Sequence, residues 1–130
     1  MSFPGPGVAL LPHSFEFNGE LAVLRVAGEH TLQQMVDAVT AAMRRATEQG
    51  AAKLLADITS ATGFDPPTLA SRHELVAQWA ETGRGHLRVA MVVRAEFLDP
   101  DRYGVILANN LGFALNLFEN EERARAWLAG

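Results

Sequence analysis

Apolar and polar positions along the chain follow two periods, and the changes between them mark the elements. In "HSFEFNGELAVLRVAG" two β-rich runs flank Asn18-Gly19, the dipeptide that best tolerates the positive φ angles of a type I′ turn, and the segment predicts a β-hairpin. The period then lengthens. Through "EHTLQQMVDAVTAAMRRATEQG" the residues Leu32, Met35, Val36, Val39, Met43 and Ala46 recur at helical spacing. Thr31 and Gln34 form a capping box ahead of them, and Gly50 stands where the chain leaves the helix. "AKLLADI" is an apolar run too short for a helix, which predicts a buried strand.

Two further helix entrances share one punctuation. Asp65 is expected to cap a helix beginning at Pro66, with Phe64 and Leu69 as a hydrophobic staple. Its core stripe would be Leu69, Val76, Trp79 and Ala80, and Gly83 would end it. Asp99 and Pro100 repeat the signal, with Leu98 against Tyr103 and Gly112 as terminator. "HLRVAMVV" between them and "FALNLFE" after them read as strands, and "NEERARAWLAG" as a last helix capped by Asn120, with Glu121 and Glu122 at its positive end. A hairpin followed by alternating helices and strands predicts parallel βαβ units with right-handed crossovers, hence an α/β fold with one mixed sheet of about five strands. Residues 13–130 are expected to form a single domain, and residues 1–12, broken by Pro4, Pro6 and Pro12, a flexible N-terminal arm.

Composition narrows the partners. The 11 basic residues are spread through a chain of net charge −4 and make no stripe that could neutralise a nucleic-acid backbone, so nucleic acid is not expected. The lack of cysteine removes disulfides, thiolate nucleophiles and thiolate ligands together, and the cytoplasm is the expected location. The N-terminal run lacks a leading Lys or Arg and does not have the form of a secretory signal. No window reaches the roughly 18 apolar residues of a membrane span.

The sequence offers little for catalysis. His13, His30, His73 and His86 form no His-x-x-x-His pair, so no metal site is expected. No serine lies in a Gly-x-Ser-x-Gly elbow. Gly83-Arg84-Gly85 leads from a helix into a strand, the reverse of a phosphate-cradling loop. Glu29 and His30 are adjacent, and adjacent side chains seldom face each other as a base and its orienting carboxylate must. Trp79, Tyr103 and Trp127 sit among aliphatic residues at helical spacing, which points to core or interface. The chain is therefore expected to be non-enzymatic and without cofactor.

The opening hairpin, "LLADITSATGFDPPTLA" after the first helix and the closing "LFENEERARAWLA", taken in this order over residues 14–129, resemble the STAS superfamily, and within it the bacterial SpoIIAA-like, STAS/SEC14-type branch. The resemblance implies a mixed sheet with parallel strands added in succession, helices packed against it, no cofactor, and regulation by binding another protein. In the phospho-switch members a strand ends in Asp and a loop leads to an Asp-Ser-Ser-Gly-Leu-like helix start, where one serine accepts a phosphoryl group. Asp57 and Asp65 match that pattern, but Pro66 and Pro67 stand where the two serines would be, and Thr68 replaces the glycine. An anti-sigma factor antagonist switch would thus need a displaced acceptor among Thr59, Ser60, Thr62 and Thr68. The departure points to the divergent branch, for which the resemblance implies a protein partner or homodimer, or alternatively a small lipophilic ligand as in SEC14 domains.

Ligands of open α/β sheets sit beyond the carboxyl ends of the parallel strands. That rule gathers Glu29, His30, Asp57, Ser60, Thr62, Arg94 and Glu96 at one rim. They form either a recognition edge for a partner or ligand head group, or a set of caps and solvated loops. The strands "LLADI", "LRVAMVV" and "FALNLF" are apolar on both faces, so both faces need cover. If the helices lie mainly on one face, the arm carrying Val8, Leu10 and Leu11, a second subunit or an apolar ligand is expected on the other.

Overall fold

The opening hairpin pairs β1 (His13–Phe17) with β2 (Leu21–Glu29) in a computed structural model that describes residues 13–130. Its connection is not a two-residue type I′ turn. Among residues 18–20 only Gly19 has a positive φ, 98°, and Asn18 works through its side chain, Oδ1 accepting the N–H of Glu20 at 3.2 Å and of Leu21 at 3.0 Å. An Asx-type turn thereby replaces the backbone turn.

Helix α1 (Leu32–Glu48) begins as its capping box requires: Thr31 Oγ1 accepts the Gln34 N–H at 3.0 Å and Gln34 Oε1 accepts the Thr31 N–H at 2.9 Å. There follow β3 (Lys53–Thr62), α2 (Leu69–Gly83), β4 (Arg88–Val92), a 3₁₀ turn (Ala95–Phe97), α3 (Tyr103–Asn110), β5 (Ala114–Phe118) and α4 (Glu121–Ala129). The strands form one five-stranded sheet in the order β1-β2-β3-β4-β5, antiparallel at β1/β2 and parallel elsewhere. This is the mixed sheet that the alternation of periods predicts.

Both later helices begin further along than the Asp-Pro signal indicates. Thr68, not Asp65, caps α2, its Oγ1 accepting the Ser71 N–H at 3.1 Å. The reason is the second proline: each proline biases the residue before it away from helical angles, so Pro66, standing before Pro67, cannot open the helix. Leu69 is consequently the first helical residue and 63% exposed, outside the core stripe, while Phe64 packs edge-on against Phe97 with ring centroids 5.6 Å apart. At α3, Asp99 spends its carboxylate on the N–H groups of Asp101 (3.1 Å) and Tyr103 (2.8 Å), making a turn before the helix. Arg102 occupies the cap position in the left-handed region, φ 53°.

One face of the sheet, through Leu24, Val26, Leu54, Ile58, Val89 and Met91, packs on Met35, Val39 and Met43 of α1 and Val76 and Trp79 of α2. The opposite face carries Val23, Leu55, Ala90 and Val92, and it is α4 that covers them with Ala124, Trp127 and Leu128. Over these side chains α4 supplies the cover expected of an arm, a second subunit or an apolar ligand; Val8, Leu10 and Leu11 fall outside the described residues. Polar clamps seat α4. Arg88 stacks 3.9 Å from the centre of the Trp127 ring and donates from Nη2 to the Trp127 carbonyl at 2.8 Å.

At the other end of α4, Arg25 of β2 grips Glu121 with both nitrogens, Nη1 to Oε1 at 2.7 Å and Nη2 to Oε2 at 3.1 Å, while Arg125 Nε donates to Oε2 at 2.7 Å. Hydrogen bonds from these two arginines pull the Glu121 carboxyl down to about 2. A carboxyl whose folded pKa lies below its unfolded value stabilises the fold above the unfolded value and loses that contribution as pH falls through the folded one. With the side chain 33% exposed, screening limits the contribution to about 1–2 kcal/mol. The stability gap between the parent protein and Glu121→Gln, measured by urea unfolding, is therefore expected to be full at pH 6, to narrow below the ordinary glutamate range of about 4.5, and to close near pH 2. Among the described residues no helix is long and apolar enough to cross a membrane.

Candidate functional site

The carboxyl-end rim is built by strand β3, which runs through "TSAT" instead of turning into a loop there. Register passes from Arg25↔Asp57 to Ala27↔Ser60, so β3 takes one more residue than β2 across a bulge. Beyond it Ser60 pairs with Ala27 and Thr62 with Glu29, which places both hydroxyl residues and Glu29 on an exposed two-stranded extension.

Strand β4 ends its pairing at Asp57↔Val92, leaving the carbonyls of Thr59 and Ala61 without a strand partner. Arg94 supplies one. Its Nη1 donates to Thr59 O at 3.1 Å and to Ala61 O at 2.5 Å, and its Nε to Glu96 Oε2 at 3.2 Å. The Glu96 carboxyl is held below its usual range, first by its own backbone N–H and then by Arg94.

His30 is buried, with Nε2 donating to the Ala27 carbonyl at 2.8 Å and its backbone N–H donating to Thr62 O at 2.8 Å. Asp57 belongs to the opposite face of the sheet. Its Oδ1 accepts from the Thr59 N–H at 2.9 Å and the Thr59 hydroxyl at 2.6 Å, and its Oδ2 from Arg25 Nη1 at 3.1 Å. The seven rim residues thus divide into a strand extension carrying Glu29, His30, Ser60 and Thr62, an Arg94–Glu96 pair stitched to it, and Asp57 on the α4 side. Among the described residues neither Ser60 nor Thr62 hydrogen-bonds through its hydroxyl to another side chain. No group of three or more His, Asp or Glu there could hold a metal ion.

The structure adds a surface that includes Leu69, a residue whose spacing predicts a place in the core. Leu69 and His73 are one turn apart on α2, and Tyr103 and Ile106 one turn apart on α3. His73 Nδ1 lies 2.9 Å from the Tyr103 hydroxyl, which joins the two pairs into one stripe across the helix seam. Ile106 is 55% exposed, and with Leu69 it is among the large apolar side chains most open to solvent. Beneath this stripe the space between the helices and the sheet, lined by Ile58, Trp79, Met91 and Leu115, amounts to about 60 Å³. That is far short of the several hundred Å³ of a small-molecule pocket.

The arrangement is that of a SpoIIAA-like fold: an opening hairpin, parallel strands added in succession and helices on the sheet. No protein-family model matches the sequence, and no curated protein matches it significantly. Solved structures do match in shape. An anti-sigma factor antagonist from Mycobacterium paratuberculosis superposes with a TM-score of 0.60 over 97% of this chain and 98% of its own, at 14% identity. An uncharacterised protein with a SpoIIAA-like fold from Shewanella loihica gives 0.51 over 91% and 93%, at 18% identity. At such identities the likeness establishes the fold.

Proposed function

We propose that this protein is a regulatory binding module that works in the cytoplasm without catalysis, by docking another protein on the α2/α3 stripe. The observation that carries the reading is the exposure of Leu69 and Ile106 on a helix pair whose inner face is otherwise packed. Aliphatic side chains left in water across a seam, with an aromatic and a histidine between them, match the apolar centre and polar margin of a protein interface. The small internal volume supports a protein partner over a carried lipophilic molecule, and the solved anti-sigma factor antagonist shows the same fold in a protein named for acting on another protein.

A photo-crosslinking amino acid at position 69 or 106, in cells of the source organism, is expected to attach one discrete heterologous protein, whereas the same group at Arg84 attaches none. Attachment solely to further copies of this chain, or no discrete product, would count against the reading.

A second reading rests on one observation: Thr68, not a proline, is the exposed N-cap of α2. A phosphate there would face the positive end of the helix. The same cells decide it, since an intact mass raised by about 80 Da, one phosphoryl group, and mapped to Thr68 would make the docking surface phosphorylation-controlled.

A further inference from the structure

We infer that the cleft at the carboxyl end of β5 is a binding site for a small phosphorylated molecule, with the phosphate held by Arg102 and Arg123 and the apolar part against Val105, Leu117 and Phe118. The cleft measures about 650 Å³, in the range of small-molecule sites and about ten times the space inside the helix layer. It opens where β5 ends, between the first turns of α3 and α4, beyond the carboxyl edge of the parallel strands.

Charge in the cleft is unevenly matched. Of its two carboxylates, Asp99 is taken up by the Tyr103 and Asp101 N–H groups and by Arg72, whose Nη1 lies 3.5 Å away. Glu119 is exposed and makes no ion pair among the described residues. Arg102 gives its guanidinium to the neutral Asn116 oxygen, and Arg123 has no ion-pair partner among the described residues. Two of the arginines lining the cleft therefore lack a carboxylate partner among the described residues. Beside them the Gly104 and Val105 N–H groups, in the first turn of α3, have no helical acceptor. Two planar forks and free N–H groups suit the several oxygens of a phosphate better than the two of a carboxylate. The apolar wall selects a phosphate joined to a flat or aliphatic group over the bare ion.

An amide NMR titration of the full chain at constant ionic strength tests the site, using phenyl phosphate, inorganic phosphate and benzyl alcohol as probes. Phenyl phosphate is expected to give saturable shifts at Gly104, Val105 and Asn120, and to bind about tenfold more tightly than inorganic phosphate, the gain from covering one ring. Arg123→Gln is expected to weaken it about tenfold or more, the loss of one charged hydrogen-bonding partner, and Arg102→Gln likewise, whereas Arg84→Gln leaves it unchanged. Arg123 is exposed on α4, so its variant keeps the test available should loss of the Arg102–Asn116 bond disturb β5. The inference fails if phenyl phosphate gives no saturable shifts, if benzyl alcohol shifts the same amides equally, or if the Arg123→Gln protein binds as the parent does.

Discussion

Replacing Gly63 by alanine is expected to lower stability by about 3 kcal/mol, from left-handed strain and a backbone collision together. Gly63 follows β3 with φ +97°, and a Cβ built there would lie 2.6 Å from the His30 carbonyl oxygen and 2.9 Å from Glu29 Cγ. The carbonyl cannot retreat freely. Its residue donates a 2.8 Å hydrogen bond to Thr62 O and directly precedes Thr31, the cap of α1. Moving it strains the end of the β2/β3 ladder and the capping box at once. Gly85 provides the control: its φ is +75°, but a Cβ would meet nothing within 4 Å. Gly85→Ala should therefore cost only the backbone term, about 1 kcal/mol. In thermal unfolding the difference is a fall of roughly 10 °C for Gly63→Ala against roughly 3–4 °C for Gly85→Ala. Equal losses would mean that His30 does not confine Gly63.

The second large effect concerns affinity. Leu69→Asp combined with Ile106→Asp is expected to weaken binding of the crosslinked partner at least about 30-fold, since two central apolar anchors at about 1–2 kcal/mol each total about 2–4 kcal/mol. Stability should move by less than about 0.5 kcal/mol, because both side chains are already more than half exposed. The combination is diagnostic. A core role for either residue would lower stability along with affinity, and calorimetric binding measured beside urea unfolding separates the two.

Local signals in the sequence were reliable where the structure satisfies them locally. The Thr31/Gln34 box, the Asn120 cap with its 2.8 Å bond from the Arg123 N–H, and the alternation that yields parallel strands are all realised. What failed depended on neighbours. Asp65-Pro66 reads as a helix start until Pro67 is counted, and that single residue moves Leu69 from the staple and core to the surface. "TSAT" reads as loop because its residues are small and hydroxylated, yet β2 pairs with it and Arg94, more than thirty residues on, satisfies its free carbonyls. Which face α4 would cover was not legible either. The contacts that decide it, Arg25 with Glu121 and Arg88 with Trp127, join residues 96 and 39 positions apart. The traces are Arg25 and Arg88 themselves, charges in apolar strands that need partners.

Of the proposed rim, the extension carrying Glu29, His30, Ser60 and Thr62 is contiguous, and Asp57 is separated from it because its side chain lies on the face that α4 covers. Of the α2/α3 stripe, Leu69 has the spacing of a buried face, and its exposure follows from where α2 begins; no sequence signal marks Ile106 of α3 as exposed.

Hydrogen exchange on the purified complex with the crosslinked partner tests the docking surface directly. The amides of residues 68–77 and 103–110 should exchange more slowly than in the free protein, with α4 and the β1 edge unchanged. Slowing confined to α4 or β1, with α2 and α3 exchanging as they do alone, would contradict docking through Leu69 and Ile106.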